Sequence, residues 1–334
     1  MTGWAGIRWD EWGDHAVVRA RLDAGADPER CGGGVRPLHF AAAYGSAATV
    51  AELASRVAEV DAVQDGTTAL WEAVVADRPD NARALAAAGA DPWRPQLDGW
   101  SPGRLALAGP VPDLFPLPGP PAGTAPRAVP AEPTAAVPAE LTAAEREEVR
   151  AARQLADALG EFHGEGTGLA CVSGIDAAEA VRRLGALPVG EEFLAEFLAD
   201  PYEWDEEEAL LIVGVTTVPG GCVVTQPWGH TPSAPGVLAR LTAGTVGYGL
   251  YANPKSGNQG ATVRDGAVEG WDLHPGGGPN PRTAPGQVLA DYLHRGRPVA
   301  QACAFAGLRP VDARAVTGPF DLVVRLPDLD YWES

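Results

Sequence analysis

Gly34-Val35-Arg36-Pro37-Leu38-His39-Phe40-Ala41-Ala42-Ala43-Tyr44-Gly45 decides how the first third of this chain folds, because its opening returns twice at a fixed interval. Asp65-Gly66-Thr67-Thr68-Ala69-Leu70-Trp71-Glu72-Ala73 and Asp98-Gly99-Trp100-Ser101-Pro102 repeat it, with glycines at 34, 66 and 99. Spacings of 32 and 33 residues belong to stacked units, none of which can bury its apolar face alone. The segments between the openings close alike, in Ala24-Gly25-Ala26-Asp27-Pro28, Val57-Ala58-Glu59-Val60-Asp61-Ala62 and Ala88-Gly89-Ala90-Asp91-Pro92. Pro37 and Pro102 suit a first helical turn, where no backbone donor is lost.

These residues resemble the ankyrin repeat family over about 12–109. In that family a Thr or Ser before Pro caps the first helix, Leu and two Ala pack against the second, and Gly ends the first. Residues 31–62 and 63–95 read as two nearly complete repeats. A partial repeat before them keeps its second helix, 16–22, and one after keeps only 99–107. Arg36 stands where the family has a capping Thr, Trp71 where it has His, and Asp77 where it has Gly. Since about three repeats are needed for a free-standing array, this one requires support from elsewhere in the chain. Leu114, Phe115 and Leu117 are candidates, and so is intramolecular docking of the two domains.

The resemblance implies an α-solenoid that binds a partner protein through a concave face of loop tips and outward helix positions. In this sequence that face is Arg30, Gly32, Gly33, Val35, Ala43 and Tyr44, then Gln64, Asp65, Thr67, Val75 and Ala76, then Leu97, Asp98 and Trp100. Tyr44 and Trp100 are the expected anchors, because stiff aromatics bury large areas for little lost rotamer freedom. Each residue has a blander reading, as loop filler or as a contact within the chain.

The chain has 334 residues, 46% apolar and 21% charged, enough for two or three domains with real cores. It has no apolar run of about 18 residues and no basic flank before an apolar segment near Met1, so it reads as soluble and cytoplasmic. A net charge of −19 argues against nucleic acid and anionic membranes, since phosphate binding needs a basic face. The acidic surplus is heaviest over 141–334, which points to a basic or neutral partner. Cys31, Cys171, Cys222 and Cys303 lie far apart and read as reduced, mostly buried thiols rather than metal ligands or disulfides.

Prolines crowd residues 110–140, which read as an extended Pro/Ala-rich linker or a ligand for a proline-binding module. Beyond it, Thr142 and Glu145 form a capping box, and Val149, Ala152, Leu155, Leu159 and Phe162 mark one face of a helix running to about His163. A strand over 168–172, a helix capped by Asp176 and a helix containing Phe193 and Phe197 follow. Strands are then expected over 210–215, 222–225, 245–252, 261–264 and, after the Asp265-Gly266 turn, 267–273. Helices over 285–295 and 299–306, a short one near Ala313 and a strand over 321–326 complete the chain. Strands in blocks predict an α+β domain over 141–334 with a mainly antiparallel sheet. Gly174-Ile175-Asp176, Arg183-Leu184-Gly185, Val237-Leu238-Ala239-Arg240-Leu241 and Trp271-Asp272 resemble an uncharacterised actinobacterial family over about 168–275. That resemblance implies no activity.

Three residues of this domain suggest chemistry: His230, His274 and Asp272 would suit a hydrolase or transferase if they met. The alternative is that they are exposed loop residues. No GxSxG, HExxH, Walker A or GxGxxG motif occurs. The loop around Lys255, the sole lysine, lacks the first glycine and the helix of a phosphate loop and reads as a hairpin tip. The acidic run at 203–208 lacks calcium-loop spacing and reads as a solvated face. No catalytic residue, metal or cofactor is therefore assigned. The leading expectation is a protein–protein interaction role for the repeats. An immunity-type protein neutralising a basic toxin and an enzyme in the C-terminal domain are the alternatives.

Overall fold

Each glycine-led opening is a tight turn with two successive residues at positive φ: Gly33 and Gly34, Asp65 and Gly66, Asp98 and Gly99. Only Gly, with Asp or Asn after it, enters that region readily, which explains the Gly-Gly and Asp-Gly pairs. The computed structural model describes residues 3–118, 140–161, 166–253 and 255–332. Most of the expected linker, Phe162, His163 and Pro254 lie outside them. Two compact units emerge, one comprising Met1–Val149 with Gly278–Leu293 and the other Arg150–Gly277 with His294–Ser334.

The first unit is a helical repeat array: α1 (His15–Asp23), α2 (Pro37–Tyr44), α3 (Ala47–Ala54), α4 (Ala69–Val75), α5 (Pro79–Ala87) and α6 (Pro102–Ala108). Pro37 and Pro102 sit in the first turns of α2 and α6. Ser46, Thr68 and Ser101 cap α3, α4 and α6 through their hydroxyls, whereas Arg36 supplies no side-chain cap to α2. First helices stack on first helices, α2 on α4 and α4 on α6, and α3 stacks on α5. Leu38, Val50, Leu53, Leu70, Trp71, Leu85 and Leu105 form the buried interior. Asp77 adopts φ 55° and so occupies the conformation the family's glycine would take.

Polar bonds between neighbouring repeats recur at one spacing. The Arg36 amide donates to Gln64 Oε1 at 2.7 Å, and the Thr68 amide donates to Gln96 Oε1 at 2.8 Å. Gln96 Nε2 also reaches Thr68 Oγ1, the hydroxyl that caps α4. Buried Asn81, on α5, donates through Nδ2 to the carbonyls of Ala41, Ala42 and Gly45 at 3.3, 2.9 and 3.0 Å. Helix ends leave backbone groups unpaired, and here the next repeat pairs them.

The second unit is built on one eight-stranded sheet in the order β2-β8-β3-β4-β1-β5-β6-β7, every neighbouring pair antiparallel. Its strands are β1 (Gly168–Ser173), β2 (Leu187–Pro188), β3 (Ile212–Val218), β4 (Gly221–Gln226), β5 (Val246–Tyr251), β6 (Gln259–Arg264), β7 (Ala267–Asp272) and β8 (Leu322–Arg325). The remaining helices are α7 (Ala143–Leu159), in which the boundary between the units falls, α8 (Ala177–Leu184), α9 (Glu191–Ala199), α10 (Glu206–Ala209) and α11 (Pro235–Leu241). They are followed by α12 (Val288–Leu293), which belongs to the first unit, α13 (Pro298–Phe305) and α14 (Arg314–Thr317).

Both faces of the sheet are covered, which is why its central strands are apolar without alternation. Ala170, Val172, Val213, Val215 and Val224 face one core with Leu184 and Leu238, from α8 and α11. Leu169, Cys171, Val223 and Leu250 face the other with Leu155, Ala302 and Val316, from α7, α13 and α14. The α+β domain with an antiparallel sheet is thus as the sequence predicts. So are the Thr142–Glu145 capping box and the Asp176 cap. The strand expected from Leu210 starts at Ile212, because Leu210 still caps α10. The helix expected from Pro285 starts at Val288, after Gly286 at φ 80°.

The segment Gly278–Leu293 lies along the array. A Cβ at Gly278 would sit 2.7 Å from a Val75 methyl, and one at Gly109 would strike the Tyr292 hydroxyl. Between these points the Gly286 amide donates to Asp98 Oδ2 at 2.7 Å, and α12 packs on α6. The support this short array needs therefore comes from a segment some 180 positions further along the chain as well as from nearby Phe115, which is buried. Leu117 is exposed and contributes none of it.

Two outcomes follow from this packing. Asn81→Ala strands the Ala42 and Gly45 carbonyls at a helix end, Ala41 keeping the Gly45 amide, and should cost the array about 2 kcal/mol, read as a lower urea midpoint. His294 is buried and its pKa is lowered to about 4, by burial first and by Arg297 and Arg309 second. Its contribution to stability is complete above an unfolded value near 6.5 and is lost as pH falls toward 4, in total about 3 kcal/mol. His294→Gln should flatten that part of the unfolding-midpoint profile.

Candidate functional site

Helix α2 presents Phe40 and Tyr44 on the side where the N-terminal turn brings Trp9. Trp9 stacks edge-on against Phe40 at 4.6 Å and lies 4.1 Å from Tyr44, while Phe40 and Tyr44 are 5.0 Å apart. Trp12 backs Phe40 at 5.0 Å. The shelf stays accessible, with Trp9 59% and Tyr44 46% exposed. Aromatic groups of that size normally bury themselves, so this contiguous exposed set is the array's candidate surface.

Beside the shelf is a cavity of about 290 Å³, walled by α2, α4, the 64–67 turn and the residues Pro279, Asn280 and Pro281. A second hollow, at Ala73, Val111 and Tyr292, measures about 10 Å³, room for one water. Glu72 enters the larger cavity from α4. Its Oε1 accepts a 2.7 Å bond from Thr67 Oγ1, and burial, opposed by that bond and reinforced by Asp65, pushes its pKa up. No cation pairs with Glu72 among the described residues: Arg36 is held by Glu29 at 2.7 Å, and Arg78 donates to the Ala43 carbonyl.

His39 lies in the same wall and is buried, its pKa lowered chiefly by burial. Its Nε2 lies 3.1 Å from the Thr67 carbonyl and must carry the proton, because a carbonyl only accepts. Nδ1 is left as a buried acceptor with no partner. Arg36, standing in the capping position without a hydroxyl, is the sequence departure nearest to that orphan.

Six of the expected face residues line this one cavity: Val35, Ala43, Tyr44, Gln64, Asp65 and Thr67. Their roles differ from the expectation. Ala43 and Thr67 are buried, and the Gln64 carbonyl oxygen is committed to the Arg36 amide. Of the two expected anchors, Tyr44 is exposed and Trp100 is not. It is 6% exposed with the Arg104 guanidinium 4.2 Å over its ring, so it offers no surface to a partner. Asp98 accepts from Gly286 and Val75 faces Gly278, so the chain's own segment occupies that end of the face. Leu97 and Ala76 are half-buried, and Arg30 is exposed away from the cavity lining.

Trp9 and Glu72 escaped the sequence reading. Trp9 precedes the recognisable repeats, and Glu72 sits in a helix at a position the repeat grammar leaves unassigned. In the second unit, no hydrogen bond links His230 to His274 or Asp272 among the described residues. Asp272 instead accepts from the Tyr248 hydroxyl at 2.8 Å and the His274 amide at 2.9 Å, and the His230 ring neighbours Tyr251 and Trp332. Among the described residues no helix is long and apolar enough to cross a membrane.

Residues 10–96 match the family model for ankyrin repeats (3 copies). No curated protein matches the chain. The array is thus an ankyrin solenoid, of a family that generally mediates protein–protein interaction.

A half-buried carboxylate with no cation beside it penalises the folded state. Glu72→Gln retains an acceptor for Thr67, so the variant should unfold at higher urea than the parent at about pH 8. The two should converge near pH 4, because a raised pKa removes stability only as pH climbs through it. An unchanged or lower midpoint at pH 8 contradicts this.

Proposed function

We propose that this chain recognises a partner protein through the open half of its ankyrin face, centred on Tyr44, Trp9 and the adjoining cavity. The observation that carries the reading is the exposed aromatic shelf beside a walled hollow, in a face whose other half is already occupied by Gly278–Leu293. Stiff aromatics at the rim of a pocket are the usual centres of binding energy. The net charge of −19 favours a basic partner in the cytoplasm.

The test places a photo-crosslinking amino acid at Tyr44 and, as a control, at Arg83, which is exposed on α5. In the native host a discrete protein adduct should form from position 44 and not from 83. Adducts of equal yield from both positions, or from 83 alone, would refute the assignment.

A further inference from the structure

The cavity next to Tyr44 has a chemical bias that the general reading does not specify. Its volume, about 290 Å³, falls just below the roughly 300–1,000 Å³ of small-molecule sites and suits one long side chain. Phe40 and Tyr44 line it from α2, and Glu72 lines it from α4 with Asp65 in the adjoining turn. Both arginines of the neighbourhood are tied elsewhere, Arg36 to Glu29 and Arg78 to the Ala43 carbonyl. A half-buried carboxylate gains from a nearby counter-charge, and among the described residues Glu72 has one hydroxyl donor, from Thr67. His39 in the same wall cannot substitute for a cation, since Nε2 is committed and burial keeps the ring neutral.

Resting on the reading that this face binds a protein, we infer that the cavity takes a basic side chain, arginine or lysine, from a partner's polypeptide segment. The alkyl stem would lie along Phe40 and Tyr44, where a cation over an aromatic face is favoured. The charged end would meet Glu72, supplying the counter-charge that the chain itself withholds. Pro279, Asn280 and Pro281 form the rim, so the far segment helps shape the pocket rather than fill it. An anionic or purely apolar occupant would cover Glu72 without compensating its charge, at greater cost than leaving it facing solvent.

The experiment selects peptides from a random display library on the immobilised full-length chain, then measures selected peptides by fluorescence anisotropy. One position should be enriched in arginine or lysine. Replacing that residue by glutamine should weaken binding about tenfold or more, and Glu72→Gln should weaken the basic peptide similarly while barely changing the glutamine peptide. Binding of the basic peptide should also fall with added salt. Peptides selected without a basic preference, or an equal effect of Glu72→Gln on both peptides, would overturn the inference. If such peptides still crosslink at Tyr44, the protein-binding reading survives. Failure to recover any peptide, together with absence of a Tyr44 adduct, defeats both.

Discussion

Helix ends cannot satisfy their own backbone groups, and in this protein each repeat completes the one before it. Gln64 and Gln96 accept from the Arg36 and Thr68 amides, Asn81 donates to three carbonyls at the end of α2, and His39 in turn donates to the Thr67 carbonyl of the following repeat. These bonds fix the stacking distance between layers. Because a repeat stack has no single core, each layer's stability depends on its neighbours. The last layer lacks a following repeat, and α12 with Phe115 covers it instead.

That constraint also shapes the exposed face of the array. A side chain recruited to hold the stack together is unavailable to a partner, which is the fate of Gln64 and Thr67. What remains open is set at one end by the Trp9–Phe40–Tyr44 shelf and at the other by the chain's own Gly278–Leu293. Glu72 lies between them, bonded to a hydroxyl that is itself in the turn. Stability would be better served by a neutral residue there, which is what sets this carboxylate apart from its neighbours in the array.

The sheet domain follows a different logic. Burial on both faces makes β1, β3 and β4 almost wholly apolar, and its thiols illustrate the result: burial pushes Cys222 up to about 12, and Cys171, 3.8 Å from Cys303, is also raised. Thiols so protonated are inert fillers. Asp272 likewise has a structural partner in the Tyr248 hydroxyl.

The repeat period, the Asp-Gly turns, the Pro-initiated helices and the order of strands were legible in the sequence, because each depends on residues close along the chain. Trp9 packing against Tyr44, Gln64 turning back to Arg36 and Trp100 disappearing beneath Arg104 were not. Outward position on an idealised repeat gives direction but not coverage, and coverage depends on what else in the chain arrives. The segment after Gly278 carries no repeat signature, yet it closes half of the face. The sequence by itself determined an ankyrin array followed by an antiparallel α+β domain, through local turn chemistry and hydrophobic period. Only the tertiary structure decided which part of the array stays open, since that depends on burial by residues nearly two hundred positions away and on which charges find partners there.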